Sequence, residues 1–462
     1  MNPYPPKIIA RWPISAAAGA MLMTLAALTT GCPRMHVPPP PEMAAPSPPP
    51  RPTPAVPPPE PEPKRPQNPL RAVPDNACKD DRMEIVDILP IDNRPNRLSL
   101  FHNPQGGHDL FWMTVHSKSQ GGHDFVTYKT IVSDDGTEEI GPRHRLEPNN
   151  MRFITRGDQR YSAISMHNPG TWRARVVTLD FDEDGKPTTT RYTPIPLEGF
   201  SHSQAAIAWN PVDRQWGLVW EEYFNIDADK PGYVFGRLYF ARLDERGAWI
   251  PGSERPLSAN TNTQSTQISD WHNPLIWDGE GFALAWSLNG LDTGTQVYLS
   301  ELDAEGRTKR KTLLEDIPKS GASSRIAVAS DAKGTFALAW GSMDDSDSFH
   351  LKFATVTQGV ASKPTYLGST RQYSNDPSIT YGNGHFAVTW NEGSHNGTDA
   401  WFARFKANPD HPPQPCKTLL THETFHGNDF MPHVTAHQDR FWITLQHKIN
   451  PSIGRLITLT PQ

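Results

Sequence analysis

The sequence FALAW at residues 282–286 places large apolar side chains at every second position. Phe282, Leu284 and Trp286 would therefore share one face of a β-strand, because successive side chains of a strand point to opposite faces. Six further copies follow this pattern with increasing divergence: FALAW at 336–340, FAVTW at 386–390, WGLVW at 216–220, FWMTV at 111–115, FWITL at 441–445 and YSAIS at 161–165. The chain thus contains seven versions of one half-buried strand.

The copies follow one another at intervals of 50–66 residues, which indicates a repeated supersecondary unit. In the clearest unit, strand A covers residues 274–277, strand B 282–286, strand C 296–302 and strand D 307–314. Asp278-Gly279 and residues 303–306 provide the tight turns between A and B and between C and D. Seven units of four antiparallel strands predict an all-β fold, a single seven-bladed β-propeller. Separate β-sandwiches are the alternative, but one hairpin-sized motif per unit fits blades better.

The two ends of the repeat region predict how the ring closes. The last unit has strands at 432–436, 441–445 and 455–460, and no sequence is left for its fourth strand. Residues 83–90, ahead of the first unit, resemble residues 311–318 at the end of another unit. We therefore expect the N-terminal strand to complete the C-terminal blade, which would protect an otherwise open sheet edge.

Residues 1–31 have the pattern of an export signal, with Lys7 and Arg11 ahead of an apolar run at 14–28. The sequence LTTGC at 28–32 resembles the lipobox of bacterial lipoproteins, although Thr29 stands where that family prefers leucine. The resemblance implies that Cys32 is lipidated and anchors the protein to a membrane. Pro33, in the place of the inner-membrane retention aspartate, implies an outer-membrane location, facing the periplasm or the cell surface. Secretion with an unmodified cysteine and an uncleaved anchor are the alternatives.

Residues 32–76 are predicted to be a disordered spacer, because proline runs at 38–41, 48–50 and 57–59 favour extended polyproline II over a packed core. A proline-rich ligand for a partner domain is the alternative. Residues 77–462 form the predicted propeller domain. The formal net charge of −6 argues against nucleic acid as a partner, since phosphate binding needs a basic face.

The repeats also resemble the degenerate propeller repeats of uncharacterised extracytoplasmic bacterial lipoproteins, over roughly residues 80–462. The resemblance implies the architecture and no particular activity. The chain has no Gly-x-Ser-x-Gly nucleophile elbow, no phosphate-binding glycine loop and no metal-ligand spacing. Its nearest match to a sialidase box, residues 330–336, has the aspartate one place early and Phe336 in place of tryptophan. No catalytic residue, metal or cofactor is therefore predicted.

Two cysteines remain for the exported domain, where oxidation is permitted. Cys78 precedes the strand that would complete the last blade, and Cys416 opens the outer strand of the blade before it. These positions are neighbours in a propeller, so we expect a disulfide. Two free thiols or a bond between chains are the alternatives.

The loops that join strand B to C, and strand D to the next A, gather on one end of a propeller, here called the upper face. The longest of them, at 221–232 and 259–272, are expected to border a ligand site. Candidate ligand-binding residues on this face are His116, His167, Glu221, Glu222, His272, Asp292, Asp344, Glu392 and His447. Together with the absence of a recognisable catalytic motif, they predict a non-catalytic binding or scaffolding module for a glycan or protein. We expect the protein to be monomeric. The alternative is a carbohydrate-active hydrolase or lyase, whose paired carboxylates would come from separate blades.

Overall fold

The computed structural model describes residue 78 and residues 81–461, apart from gaps at 91–94, 118–122, 148–149, 168–172, 197–200, 226–233, 259–263, 270–273, 291–293, 318–324, 344–348, 369–372, 395–396, 407–414, 421–427 and 449–452. All of them lie in the second of the two units into which the chain divides, Leu70–Gln462. The predicted signal peptide, Cys32 and the whole predicted spacer fall outside the described residues. No helix among the described residues has the length and apolar character needed to cross a membrane.

The described residues form thirty β-strands. β1 (Arg82–Pro90) precedes the first repeat. Blade 1 contains β2 (Pro95–His102), β3 (His108–Ser117), β4 (His123–Val132) and β5 (His144–Leu146). Blade 2 contains β6 (Met151–Arg156), β7 (Tyr161–His167), β8 (Arg173–Phe181) and β9 (Pro187–Pro194). Blade 3 contains β10 (Ser201–Asn210), β11 (Gln215–Asn225), β12 (Val234–Asp244) and β13 (Arg255–Pro256).

The other blades follow the same order with small irregularities. In blade 4 the inner strand is split into β14 (Gln264–Gln267) and β15 (Leu275–Trp277), followed by β16 (Phe282–Gly290), β17 (Gly294–Leu302) and β18 (Thr308–Ile317). In blade 5, β19 (Ile326–Ser330), β20 (Thr335–Met343) and β21 (Phe349–Thr357) are flanked by two short outer strands, β22 (Val360–Ala361) and β23 (Thr365–Tyr366).

Blade 6 contains β24 (Tyr373–Gly382), β25 (His385–Ser394), β26 (Gly397–Phe405) and β27 (Cys416–Leu419). Blade 7 contains β28 (Asn428–His437), β29 (Arg440–Lys448), β30 (Ile453–Thr460) and, as its outer strand, β1. Consecutive strands pair antiparallel within each blade, from the innermost A position to the outermost D position. The prediction of a seven-bladed propeller with four strands per blade is confirmed.

The closure of the ring is also confirmed. β1 pairs antiparallel with β30 from Arg82 opposite Thr460 onward, so the N-terminal strand completes the last blade. Cys78 and Cys416 form a disulfide with a Cα–Cα distance of 5.1 Å. Beside it, the buried Asp81 carboxylate accepts two hydrogen bonds from the Arg404 guanidinium, at 2.8 and 2.6 Å. Together these contacts hold the start of β1 against blade 6.

The repeated strand B accounts for the core. The described residues contain seven hydrophobic clusters, and each one fills the space between two neighbouring blades. Trp286, Trp340 and Trp390 lie in the clusters between blades 3 and 4, 4 and 5, and 5 and 6, and each is at most 3% exposed. The prediction that these tryptophans are core residues between blades is confirmed.

The predicted Asp-x-x-Gly turns bring neighbouring blades close together. Gly306 has a φ of +81°, which favours glycine, and a Cβ placed there would meet the Phe240 ring of blade 3 at 2.0 Å. Gly136 of blade 1, at +73°, is packed in the same way against Leu456 of blade 7. The turn therefore needs glycine for its conformation and for the close approach of the next blade.

Two predicted loops are partly strand. β11 continues to Asn225, so Glu221 and Glu222 belong to a strand and not to the loop predicted at 221–232. Within the loop predicted at 259–272, Gln264–Gln267 pairs with β16 as β14. Polar residues that face a neighbouring strand resemble loop residues in sequence, and this explains both errors.

Candidate functional site

The inner strands of all seven blades surround a central cavity of about 370 Å³. Its wall is largely aliphatic, with side chains such as Ile154, Ile276, Val328 and Ile379. This volume lies within the range of small-molecule sites, which are concave and mostly apolar with a few polar groups that fix orientation. The lining residues come mainly from the second half of each inner strand, near the A–B and C–D turns. We call that end of the propeller the lower face.

Three aromatic side chains in this wall are half-buried: Phe101, Trp277 and Tyr381. Each packs against a ring of the neighbouring strand B. The ring centroids of Trp277 and Phe282 lie 5.0 Å apart, those of Tyr381 and Phe386 4.9 Å apart, and Phe101 contacts Phe111 edge-on at 5.8 Å. Such backing restricts the orientation of each ring. The cavity therefore has fixed aromatic surfaces before any ligand arrives.

Hydroxyl groups lie between the aromatic and aliphatic side chains of the wall. Ser99, Thr155, Ser330, Thr380 and Thr435 come from blades 1, 2, 5, 6 and 7. Each hydroxyl can donate one hydrogen bond and accept others. The cavity therefore combines apolar surfaces with neutral hydrogen-bonding groups on several sides.

Bulges interrupt the inner strands of blades 1, 6 and 7. The register of the A–B pairing shifts at Arg97, Asp376 and Met431, and all three residues have positive φ, between 53° and 59°. Arg97 and Met431 line the cavity. Bulges re-aim side chains, and left-handed backbone at non-glycine residues clusters at functional sites.

An ion pair lies between blades 5 and 6 at the bulge of Asp376. The Asp376 carboxylate pairs with the Arg325 guanidinium and accepts a hydrogen bond from the Asn391 amide at 3.3 Å. The carboxylate is mostly buried. Asp376 is thus held as a charge-compensated structural acid.

The predicted ligand residues that the structure describes are not exposed loop groups. Glu221, Glu222 and Glu392 are 0%, 2% and 6% exposed, in strands β11 and β25. The prediction that these carboxylates belong to loops is therefore wrong. Glu392 accepts a hydrogen bond from the Trp390 indole at 3.3 Å. Their role in binding stays a prediction.

The remaining predicted residues are spread over several blades or lie outside the described part. His116 is half-buried in β3, with its Nε2 atom 2.9 Å from the Thr114 hydroxyl. His167 and His447 end or nearly end strands β7 and β29, and their side chains are outside the description. His272, Asp292 and Asp344 lie outside the described residues. Cys78 and Cys416 are the two predicted site residues that the structure joins directly.

A second group of polar side chains lies on the lower face, where blade 7 meets blade 1. His102 ends β2, His108 begins β3, and His437 ends β28. The rings of His102 and His437 stack with centroids 3.7 Å apart, and the nearly inaccessible His108 contacts the Trp442 ring at 4.4 Å. Burial lowers the pKa of both His108 and His437, so both imidazoles are neutral at pH 7.

Sequence reasoning missed both groups. The sequence contains a partial indication of the aromatic channel wall. An aromatic residue precedes the A–B turn in Trp277-Asp278-Gly279 and again at Tyr381-Gly382. The histidine group comes from both ends of the repeat region. Only the closure of the ring brings His437 next to His102.

No protein-family model matches the sequence, and no curated protein matches it either. Among solved structures, the chain is similar to the polysaccharide lyase Uly1, with 10% identity and a TM-score of 0.47, over 80% of this chain and 90% of that one. The β-propeller domain of the Trilobed protease from Pyrococcus furiosus has 9% identity and a TM-score of 0.44, covering 79% and 95%. A protein of unknown function from Dyadobacter fermentans has 12% identity and a TM-score of 0.44, covering 83% and 100%.

Proposed function

We propose that this protein is an exported, lipid-anchored binding protein whose propeller holds a glycan segment in its central channel without chemical turnover. The observation that carries the proposal is the channel wall, where fixed aromatic rings alternate with hydroxyl groups from several blades. The anchor rests on the lipobox-like sequence that ends at Cys32. A propeller behind a lipid anchor and a proline-rich spacer would present the channel at a distance from the membrane.

The chemistry of the wall favours a sugar over other small ligands. A pyranose ring has apolar C–H faces and a rim of hydroxyl groups. Trp277, Tyr381 and Phe101 offer flat surfaces for the faces, and the serine and threonine hydroxyls offer partners for the rim. A ligand of this kind fits a cavity of mixed polarity, whereas a lipid tail would leave the hydroxyl groups without partners.

Two described ion-paired acids lie outside the lining of the cavity. Asp376 pairs with Arg325, and Glu315, in the outer strand β18, pairs with Lys352 while it accepts a hydrogen bond from the Trp340 indole at 2.7 Å. A general acid or base must lie within hydrogen-bond reach of the group on which it acts. Neither carboxylate lines the cavity, so both suit structural roles. This favours binding over hydrolysis.

The test is glycan binding by the full-length lipidated protein in detergent, first on a glycan array and then by titration calorimetry. Trp277→Ala and Tyr381→Ala should each weaken binding of the best glycan by about tenfold or more, because aromatic anchors dominate binding energy. Trp209→Ala is the matched control. Trp209 precedes the same turn in blade 3 and packs on Trp216 at 4.6 Å, but it does not line the cavity.

Equal affinities for the channel variants and the Trp209 control would contradict the channel site. Absence of binding to every glycan would contradict the ligand class. Release of shortened or unsaturated sugar products would replace the binding protein by the hydrolase or lyase alternative. The anchor has its own test, since Cys32→Ser should move the protein from the membrane fraction to the soluble fraction.

A further inference from the structure

A potential metal-binding group lies at the junction of blades 1 and 7, apart from the proposed glycan site. A ring nitrogen of His102, a ring nitrogen of His108 and a carboxylate oxygen of Asp134 all lie within 4.8 Å of one another. The backbone holds these residues in place. His102 and His108 pair directly across the β2–β3 hairpin, and Asp134 lies in the turn after β4, the strand next to β3.

The surrounding hydrogen bonds leave ligand atoms available. The Oδ1 atom of Asp134 accepts a hydrogen bond from the Gly107 amide at 2.7 Å, and this contact restricts the orientation of the carboxylate. The Nε2 atom of His108 lies 3.3 Å from the Asp134 carbonyl oxygen. Metal-binding histidines commonly donate one ring N–H to a backbone carbonyl, which fixes the tautomer and leaves the other nitrogen free for the metal.

A second observation points to a missing partner. Among the described residues, the Nδ1 atom of His102 is shielded from solvent and makes no hydrogen bond. A buried polar atom of this kind calls for a partner such as a water molecule or an ion. Stacking on His437 fixes the plane of the His102 ring.

We propose that His102, His108 and Asp134 bind one divalent transition-metal ion such as Zn²⁺, with His437 holding the His102 ring in position. Two imidazoles and a carboxylate suit zinc, and an incomplete ligand set leaves positions open for water or a ligand. Ligand atoms in a tetrahedral zinc site are about 3.4 Å apart, so each atom has to move by less than about 1 Å to close around the ion.

The test uses the full-length protein, stripped with a chelator and dialysed against micromolar Zn²⁺, with bound zinc measured by mass spectrometry. The parent should retain one ion per chain. Asp134→Asn keeps the acceptor for Gly107 and lies in an exposed turn, so it should fold normally and weaken zinc binding by about tenfold or more. The double variant His102→Ala/His108→Ala should lose the ion.

His144→Ala is the matched control, because His144 lies on the same face of the same blade and contacts the Asp184 carbonyl outside the group. It should bind zinc like the parent. His437→Phe keeps a stacked ring and removes the ring nitrogens, so it should also retain the ion. Titration with Co²⁺ should give the visible absorption of a low-coordinate site in the parent and not in Asp134→Asn.

A parent protein that retains no zinc overturns the proposal. So does an Asp134→Asn protein that binds zinc and Co²⁺ as the parent does. Loss of zinc from His437→Phe would overturn the assignment of all three ligands to blade 1. These outcomes are independent of glycan binding, because none of the substituted residues lines the channel.

Discussion

Trp340 and Trp277 belong to neighbouring blades of one repeated architecture, but they lie on two different surfaces. Trp340 ends a copy of the repeated motif, is fully buried between blades 4 and 5, and donates a hydrogen bond to Glu315 at 2.7 Å. Trp277 ends an inner strand, lines the channel at the edge of the cluster between blades 3 and 4, and is half-buried. The surfaces between blades carry the repeat, whereas the channel surface differs from blade to blade.

The difference shows which side chains stabilise the fold and at which positions the sequence can vary. Every blade must fill the space to its neighbour, and in blades 3 to 6 strand B does so with an aromatic residue at the start of the motif and a tryptophan at its end. The inner strands need only enclose a channel. Side chains at the channel surface are therefore available for recognition, as loop residues are in other scaffolds.

The largest expected effect comes from truncating the surface between blades. Trp340→Ala removes a fully buried ring and leaves a cavity, which should lower the free energy of unfolding by roughly 3–5 kcal/mol. Urea denaturation followed by circular dichroism measures the change. A Trp340→Ala protein with the parent's denaturation midpoint would contradict the core assignment.

The closure of the ring should be the next most sensitive feature, because it depends on contacts outside the repeat. The Cys78–Cys416 disulfide joins residues 338 positions apart, so it restricts the unfolded chain strongly. Cys78→Ser/Cys416→Ser should lower the free energy of unfolding by roughly 2–4 kcal/mol. The Asp81–Arg404 pair remains in this variant and should keep the native fold. Equal midpoints for the oxidised and double-serine proteins would show that the bond adds no stability.

A buried histidine tests a polar contact between blades. His202 is 1% exposed; its Nδ1 accepts a hydrogen bond from the Ala174 amide at 2.9 Å, and its Nε2–H donates to the Pro196 carbonyl at 2.8 Å. This arrangement requires the neutral ring, and burial lowers the pKa of His202. The unfolded chain therefore binds more protons than the folded one just below pH ~6.5, and stability should fall on acidification.

His202→Gln provides the control for this pH dependence. Its side-chain amide offers both an acceptor and a donor but does not titrate. Denaturation midpoints measured at pH ~7.5 and ~5.5 should differ more for the parent than for His202→Gln. The same pH dependence in both proteins would assign the acid sensitivity to other groups.

The smallest effect on stability is expected at the channel. Trp277→Ala should lower the free energy of unfolding by about 1–2 kcal/mol, because the ring is half-buried and loses mainly its contact with Phe282. Differential scanning calorimetry of Trp277→Ala beside Trp340→Ala gives the comparison directly. Equal losses in the two variants would remove the distinction between the two surfaces.

The sequence predicted the surfaces between blades well and the channel poorly, for a physical reason. The alternation in FALAW runs without interruption, so its buried face can be assigned from period two alone. In β24 the register shifts between Asn375 and Ser378, and a one-residue shift exchanges the two faces of a strand. The side-chain direction of Tyr381 was therefore not readable from alternation. The same holds for the residues that follow the bulge at Arg97, including Phe101 and His102.

The central claim is that the ligand binds at the channel surface and does not contact the side chains that are packed between blades. Labelling the full-length protein with 5-fluorotryptophan allows one tryptophan of each surface to be observed in the same fluorine NMR spectrum. The Trp277 and Trp340 resonances are assigned from their loss in Trp277→Phe and Trp340→Phe. Saturation with the best-binding glycan should shift the Trp277 resonance and leave the Trp340 resonance in place. A saturating glycan that leaves the Trp277 resonance unchanged would contradict the account.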